Sequence, residues 1–277
     1  MTGSLYLVAT PIGNLEDITL RALRILREEA AVIACEDTRQ TQKLLEHFGI
    51  HKQTVSYHDH NEGSRTTQLI ARLEAGDSVA LVSDAGTPLI SDPGFRLLRA
   101  SLERNIPVVP IPGASAALTA MVGSGLPVNE FRFIGFLPPK AGARRKVLQQ
   151  LAAEQTTLIF YESPHRLLES LEDVVAVLGN RSIAVARELT KVHEEFVRGS
   201  AKDVLEEFRA RPSIKGEITV LVGGAQDAAA EGNPVEEVAR LQTAGLDRMS
   251  AIKQVAKQFG LPKRDLYRLV EGAPEPE

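Results

Sequence analysis

Residues 81–94, LVSDAGTPLISDPG, place two turns in quick succession, and this stretch decides the fold. The apolar run 79–82 predicts a buried strand that ends in the first turn, residues 84–88. In the second turn, Asp92 predicts a helix N-cap with Pro93 at the first helical position. Small residues, exposed backbone N–H groups and one carboxylate make the first turn a predicted ligand site.

Composition restricts the classes of protein to which the chain can belong. Its 277 residues allow more than one domain, and 32 Lys and Arg against 36 Asp and Glu argue against a globally basic nucleic-acid binder. The single cysteine, Cys35, excludes an internal disulfide, and the first residues lack a signal-peptide pattern. No run has membrane-spanning length. We expect a soluble cytoplasmic protein with no membrane partner.

Short apolar runs alternate with segments of helical periodicity, which predicts an α/β fold with a largely parallel first sheet. The predicted strands are 5–9, 31–34, 53–56, 78–83, 106–110, 131–136, 157–161, 182–187 and 217–222. The predicted helices between them include 17–29, 62–75, 92–104 and 164–178.

Two segments of linker composition divide the chain into predicted domains. GSGLPVNE, residues 123–130, predicts a hinge between two α/β domains, 1–122 and 123–225. GGAQDAAAEGNP, residues 223–234, precedes a small all-helical C-terminal domain, 234–277. Within that domain Ser250 predicts a helix cap and Pro262 opens a second helix, the outline of a helix-turn-helix.

The glycine content of the turn after the first strand shows whether the chain could have a dinucleotide-binding fold. VATPIGNLEDI, residues 8–18, has one glycine, Gly13, where that fold requires three, so the dinucleotide interpretation fails. The turns at 11–15, 84–90 and 112–116 all follow predicted strands at their carboxyl ends. Open α/β sheets bind ligands at that edge.

Eight motifs, in this order and spacing, resemble one family: VATPIGNLEDIT, ACEDTRQT, LVSDAGTPLISDPG, PIPGASAA, GFLPPK, TLIFYESPHRL, VARELTK and KGE. The family is that of the bacterial methyltransferases of ribosomal small-subunit RNA, within the tetrapyrrole methylase superfamily. The resemblance, from Leu5 to Val270, implies a homodimer of two α/β domains of the tetrapyrrole methylase type, with S-adenosyl-L-methionine in the cleft between them. The implied substrate is the ribose 2'-hydroxyl of a cytidine in the decoding region of 16S ribosomal RNA, in the small ribosomal subunit.

The resemblance also implies the cofactor residues. Gly86, Thr87 and Pro88 match the G-D-P-type turn of the superfamily, with Thr87 where many relatives have Asp. The implied set is Pro11, Asp84, Gly86, Thr87, Pro88, Leu89, Ile90, Ser115 and Ala116 from the first domain, and Phe160, Tyr161, Ala186 and Ile218 from the second. No metal is predicted, because the spacing of His58 and His60 is weak evidence for one and methyl transfer needs none.

A ribose hydroxyl is a weak nucleophile, so a general base beside it is expected. The candidates are Asp37, Asp84 and Glu188, with Asp37 favoured. Each also has a structural interpretation, as a helix cap or an ion-pair partner.

RNA contacts are predicted from local positive charge. In LPPKAGARRKVLQQL, residues 137–151, four cations oppose the helix dipole, which favours phosphate contact over a solvated helix start. Basic residues beside Tyr267 in the C-terminal domain suggest the same. The predicted RNA-binding residues are Arg39, Lys140, Arg144, Arg145, Lys146, Arg166, Lys263 and Arg264.

Two rival functions stay open. A methyltransferase of the same fold with a small tetrapyrrole substrate would use neither the basic segment nor the helical domain. A non-catalytic helix-turn-helix regulator that senses the methyl donor would bind nucleic acid and transfer no methyl group.

Overall fold

The computed structural model describes residues 2–225 and 233–271, except for the side chain of Lys257. The chain divides into two compact units, Met1–Gly224 and Ala225–Glu277. No helix in the described ranges is long and apolar enough to cross a membrane.

The first sheet has five strands in the order β3-β2-β4-β1-β5, all parallel, as predicted. Its strands are β1 Leu5–Val8, β2 Val32–Cys35, β3 Gln53–Ser56, β4 Val79–Val82 and β5 Val108–Ile111. The helices connecting them are α1 Leu20–Arg24, α2 Thr38–His47, α3 Glu62–Glu74 and α4 Phe95–Glu103. Apolar side chains are buried on both faces, typical of a parallel sheet covered on its two sides.

Three predicted helices differ from the observed ones, and one of them, 164–178, is observed as Leu167–Leu178. Helix α4 begins at Phe95, because the Glu62 carboxylate accepts the backbone N–H groups of Gly94 (3.3 Å) and Arg96 (3.4 Å) in place of a local cap. Asp92 instead accepts a hydrogen bond from the Ser83 hydroxyl. The predicted helix 17–29 is a 3-10 turn followed by α1 and one π-helical turn.

The second sheet is mixed, in the order β6-β7-β10-β8-β9. Only β6 and β7 are parallel; the other neighbours are antiparallel. Its strands are β6 Phe131–Phe136, β7 Thr157–Glu162, β8 Ser182–Arg187, β9 Glu195–Ser200 and β10 Ile218–Val222. The sequence analysis missed β9, whose EFVRGS pattern is only partly apolar.

Helices cover the two faces of the second sheet. One face packs on α6 Ala141–Gln150, α7 Leu167–Leu178 and α8 Ala201–Arg209, and the other packs on α5 Ala116–Ser124. The predicted division at residues 122 and 123 assigns α5 to the first domain, yet α5 packs against the second sheet. Since residues 1–224 form one compact unit, that division stays a prediction.

The C-terminal unit contains three described helices, α9 Pro234–Thr243, α10 Arg248–Gln258 and α11 Lys263–Glu271. Its core contains Val238 and Leu241 of α9, Ile252 and Val255 of α10, and Leu266 of α11. Helix α10 begins before Ser250, because the Asp247 carboxylate accepts the Ser250 N–H (3.1 Å).

Candidate active site

A cavity of about 380 Å³ is lined by loops and strands of both sheets. Its volume lies in the range of ~300–1,000 Å³ that is typical of small-molecule and cofactor sites. The first half of the Met1–Gly224 unit, which contains the first sheet, contributes a wall that includes Ile12, Gly86, Thr87, Ile90, Asp92, Ser115 and Ala116. The wall from the second half includes Phe136, Tyr161, Glu162, Leu189, Glu217, Ile218 and Thr219.

Gly86 lies in the wall of the cavity, in the turn that follows β4. Its N–H and carbonyl pair with Thr10 at 3.0 and 2.9 Å, which fixes the turn beside β1. Its φ of +89° favours glycine, and an added Cβ would lie 3.3 Å from Cγ2 of Ile12. A side chain at this position would therefore be strained and would crowd Ile12, which also lines the cavity.

The loop after Gly86 carries local backbone strain. Leu89 and Ser91 have positive φ angles of 70° and 68°, which L-residues with side chains rarely adopt. The Thr87 hydroxyl donates to the Ala114 carbonyl (3.2 Å) and holds this loop against the turn after β5. Such strain is found preferentially at ligand sites, where surrounding contacts maintain it.

Aromatic rings form much of the opposite wall. Tyr161 makes edge contacts with Phe133 and Phe136 at centroid distances of 5.0 and 5.5 Å. Phe136 remains 56% exposed. Burial raises the pKa of Tyr161, and the charge of Asp92, on the opposite wall, contributes to the rise.

Three carboxylates line the cavity, and they differ in their partners. Burial raises the pKa of Asp92, while the hydrogen bond from Ser83 opposes the rise. Glu162 is buried and accepts the Arg166 guanidinium at 2.9 and 2.5 Å, the Ser163 N–H at 2.8 Å and the Ser170 hydroxyl. Glu217 pairs with the Lys191 ammonium at 3.2 Å.

Seven of the predicted cofactor residues line the cavity: Gly86, Thr87, Ile90, Ser115, Ala116, Tyr161 and Ile218. Pro11, Asp84, Pro88, Leu89, Phe160 and Ala186 do not line it. For Phe160 the reason is strand alternation, because neighbouring side chains of β7 point to opposite faces. Tyr161 faces α5 and the cavity, whereas Phe160 is buried in the core formed with α6, α7 and α8.

The three predicted base candidates lie outside the cavity wall. Asp37 caps α2 by accepting the Arg39 N–H (2.8 Å), and Asp84 accepts the Asp37 N–H (3.0 Å). Glu188 pairs with Lys191 (2.8 Å), and this hydrogen bond lowers its pKa. The sequence analysis does not identify Asp92 or Glu162 as site residues, although the SDPG and YES motifs contain them. For Asp92 it predicts a helix cap.

Arg144, one of the predicted RNA contacts, lies in the interior and not on the surface. Only 1% of this residue is exposed, and its guanidinium bonds Asp173 (2.6 Å) and the Pro139 carbonyl (3.4 Å). The positive charge in the first turn of α6 therefore serves a buried ion pair. Of the other predicted RNA contacts, Arg166 is half-buried beside Glu162, and the exposed residues are Arg39, Lys140, Arg145, Lys146, Lys263 and Arg264.

In the part of the chain that the structure describes, no group of His, Cys, Asp and Glu side chains is arranged to hold a metal ion. The His58 and His60 rings instead contact each other, with centroids 5.9 Å apart.

Comparison with known proteins assigns this fold and cavity to the tetrapyrrole methylase class. The family profile of the Tetrapyrrole (Corrin/Porphyrin) Methylases matches residues 4–205. A uroporphyrin-III C-methyltransferase from Thermus thermophilus, solved with S-adenyl homocysteine, has a TM-score of 0.56 and 20% identity over 79% of this chain and 97% of that one. Cobalt precorrin-4 methyltransferase has a TM-score of 0.60 and 16% identity, over 79% and 94%. These likenesses show the fold.

Full-length relatives narrow the class. The Ribosomal RNA small subunit methyltransferase I of Halalkalibacterium halodurans is 49% identical over 96% of this chain and 94% of its own. Its namesake from Escherichia coli O157:H7 is 47% identical over the same shares. The chain belongs to this family of ribosomal RNA small subunit methyltransferases.

The predicted cofactor, S-adenosyl-L-methionine, is confirmed at the level of the family. The cavity fits it, because its volume suits a ligand of that size and the bare backbone at Gly86 allows close approach. Thr87, Ile90, Ser115 and Ala116 would hold it beside Gly86. When bound, it supplies an electrophilic methyl group on a sulfonium.

Proposed function

We propose that this chain methylates the ribose 2'-hydroxyl of a cytidine in the decoding region of 16S ribosomal RNA, within the small ribosomal subunit. We also propose that it acts as a homodimer in the bacterial cytoplasm. The names of the full-length relatives support the small-subunit RNA as the substrate. The observation that carries the choice of a hydroxyl oxygen is the carboxylate of Asp92 in the wall of the cavity.

A hydroxyl that becomes an ether must lose its proton, and a nearby carboxylate is a suitable acceptor. Asp92 replaces Asp37 as our proposed general base. Its one described hydrogen-bond partner is the Ser83 hydroxyl, which leaves acceptor capacity on the carboxylate. The raised pKa brings its basicity closer to the operating pH.

The other two carboxylates of the wall are less suitable bases. The acceptor positions of the Glu162 carboxylate are occupied by Arg166, Ser163 and Ser170. The Glu217 carboxylate already pairs with the Lys191 ammonium (3.2 Å). We propose that these two orient the surrounding loops.

Exposed cations adjoin the strand that forms one wall of the cavity. Phe136 lines the cavity at the end of β6, and the chain then passes through residues 137–140 into α6. Lys140, Arg145 and Lys146 are exposed on this segment and can contact phosphates as the RNA enters. A small-molecule substrate would have no use for them.

Alkaline hydrolysis tests the choice of oxygen. Backbone cleavage by base requires a free 2'-hydroxyl, so a 2'-O-methylated cytidine protects the phosphodiester bond on its 3' side. RNA methylated with labelled donor should release its label in an alkali-resistant dinucleotide. Label in a mononucleotide would indicate a methylated base and would contradict the proposal.

A further inference from the structure

The C-terminal unit has a groove of about 400 Å³ between α10 and α11. Lys253 of α10 and Lys263 and Arg264 of α11 line it together with Tyr267. Ile252 of α10 contributes an apolar wall. The groove therefore combines three cations, an aromatic ring and an apolar surface in one concave site.

The three cations of this groove have no ion-pair partner among the described residues of 233–271. In the same unit, by contrast, Arg240 of α9 pairs with Glu237 (2.6 Å). Between Arg248 and Glu271 the sequence has six Lys or Arg and two acidic residues. Asp265 is the acidic residue in the first turn of α11, and it forms no ion pair with any of the three cations. Cations held close together without ion-pair partners repel each other, so an external anion would stabilise the arrangement.

Two of the cations also lie at the end of a helix where the helix dipole disfavours positive charge. Lys263 and Arg264 are the first two residues of α11, where the positive end of the helix dipole disfavours positive charge. Their placement therefore costs stability in the free protein and strengthens the attraction for an anion in the groove. The placement of these two cations therefore favours a role in binding an anion over a role in stabilising the fold.

The aromatic ring favours nucleic acid over an acidic protein as the source of that anion. Tyr267 is 38% exposed, and the Arg248 guanidinium lies 5.9 Å from its ring centroid. Met249, 64% exposed, widens the apolar surface beside it. Cations that hold a phosphate next to a flat exposed ring are the usual means of binding single-stranded RNA, whose bases stack on such rings.

We propose that the groove between α10 and α11 binds single-stranded RNA, with phosphates on Lys253, Lys263 and Arg264 and a base on Tyr267. The inference rests on the proposed function for the identity of the RNA. It adds a second contact point on the substrate, in a unit that does not contain the cavity.

The test uses the full chain with Lys253, Lys263 and Arg264 all changed to Gln. The probe is purified 16S ribosomal RNA, titrated at several salt concentrations. Losing three cations should weaken binding at least tenfold and reduce the slope of log K against log salt by about 2, at ~0.7 per single-strand phosphate contact. Arg240→Gln is the matched control and should bind as the wild type does. Tyr267→Ala should weaken binding about fivefold or more at an unchanged salt slope, since stacking carries no charge.

Wild-type affinity and slope in the triple variant would overturn the proposal. So would a variant that binds naked RNA normally but loses binding to assembled subunits, because the groove would then hold a protein. Thermal unfolding and donor titration establish that each variant is folded. RNA binding is measured without methyl transfer, so a failure of the groove is distinguishable from a failure of the proposed function.

Discussion

The side chain of Lys191, which follows β8 of the second sheet, packs against Gly13, which follows β1 of the first sheet. A Cβ added to Gly13 would come within 2.4 Å of Cγ of Lys191, and the ammonium beyond it pairs with Glu188 (2.8 Å) and Glu217 (3.2 Å). The lysine thereby ties the loop after β1 to the end of β8 and the start of β10. Ile12 and Glu217, on either side of this contact, both line the cavity.

Gly13→Ala should loosen this contact. The methyl group forces the lysine stem away and separates its ammonium from the two carboxylates. We expect a loss of about 1–3 kcal/mol in the free energy of unfolding, the usual cost of overpacking, and weaker donor binding. Urea unfolding and calorimetry with S-adenosyl-L-methionine measure the two effects.

Gly142→Ala is the matched control, because an added Cβ there meets no atom within 4 Å. It should leave donor affinity unchanged and stabilise α6 slightly. Equal behaviour of the two variants would mean that the contact between Lys191 and Gly13 contributes nothing to the cleft.

Gly86→Arg should abolish donor binding. The backbone there has a φ of +89°, and the new side chain would start 3.3 Å from Ile12 and extend into the cavity. Calorimetry with S-adenosyl-L-methionine is the measurement, with Gly142→Arg as the control for the added charge. A folded Gly86→Arg variant that still binds the donor would show that this turn is not the cofactor site.

Arg144→Gln should destabilise the protein by about 3–5 kcal/mol, because it leaves the buried Asp173 without its internal partner. The Arg145 side chain, which is 58% exposed, also pairs with Asp173 (2.5 Å) and compensates only in part. Lys146→Gln, two residues later in the same helix but exposed, should change stability by less than about 0.5 kcal/mol. If urea unfolding gives both variants the same stability, the buried pair is not the purpose of Arg144.

Asp92→Asn should slow methyl transfer by about 10²–10⁴ while leaving donor affinity intact. In the wild type, only ionised Asp92 accepts a proton, so the rate should rise with pH through a midpoint above the usual Asp range. Burial raises that pKa, and Asp84, Glu36 and Tyr161 are the titratable groups around it. The variant should lose this limb of the pH profile.

The same shift has a consequence for stability. A carboxyl with a raised pKa in the folded chain stabilises it fully below the unfolded value of ~3.9. This contribution is lost as the pH rises through the folded pKa of Asp92. Asp92→Asn should therefore be at least as stable as the wild type at neutral pH. A variant that is both slow and strongly destabilised would indicate a structural role.

The sequence predicted the sheets better than it predicted the side chains of the site. The turns after β1, β4 and β5 meet at one edge because parallel strands place their carboxyl ends together, and pattern alone was sufficient for that. The sequence analysis predicts both Phe160 and Tyr161 at the cofactor, although neighbouring side chains of a strand point to opposite faces. Period-2 alternation alone excludes that both line one cavity. It could not show which of them faces the cavity, because both faces of β7 are covered by helices.

The remaining errors depend on partners distant in sequence. Arg144 is buried because Asp173 lies opposite it, 29 residues later. Asp92 has the sequence context of a helix cap, but Glu62 of α3 accepts the N–H groups at the start of α4. The Asp92 carboxylate therefore does not cap the helix and lines the cavity instead. Local pattern carries no information about such pairs, so the proposed base became visible only in the structure.

The central claim is tested most directly by methyl transfer to small ribosomal subunits purified from cells that lack this protein. Labelled S-adenosyl-L-methionine, nuclease digestion and identification of the modified nucleoside complete the measurement. We predict that label appears in a single 2'-O-methylcytidine of 16S ribosomal RNA. Label in a methylated base, or no label in RNA despite intact donor binding, would contradict the claim.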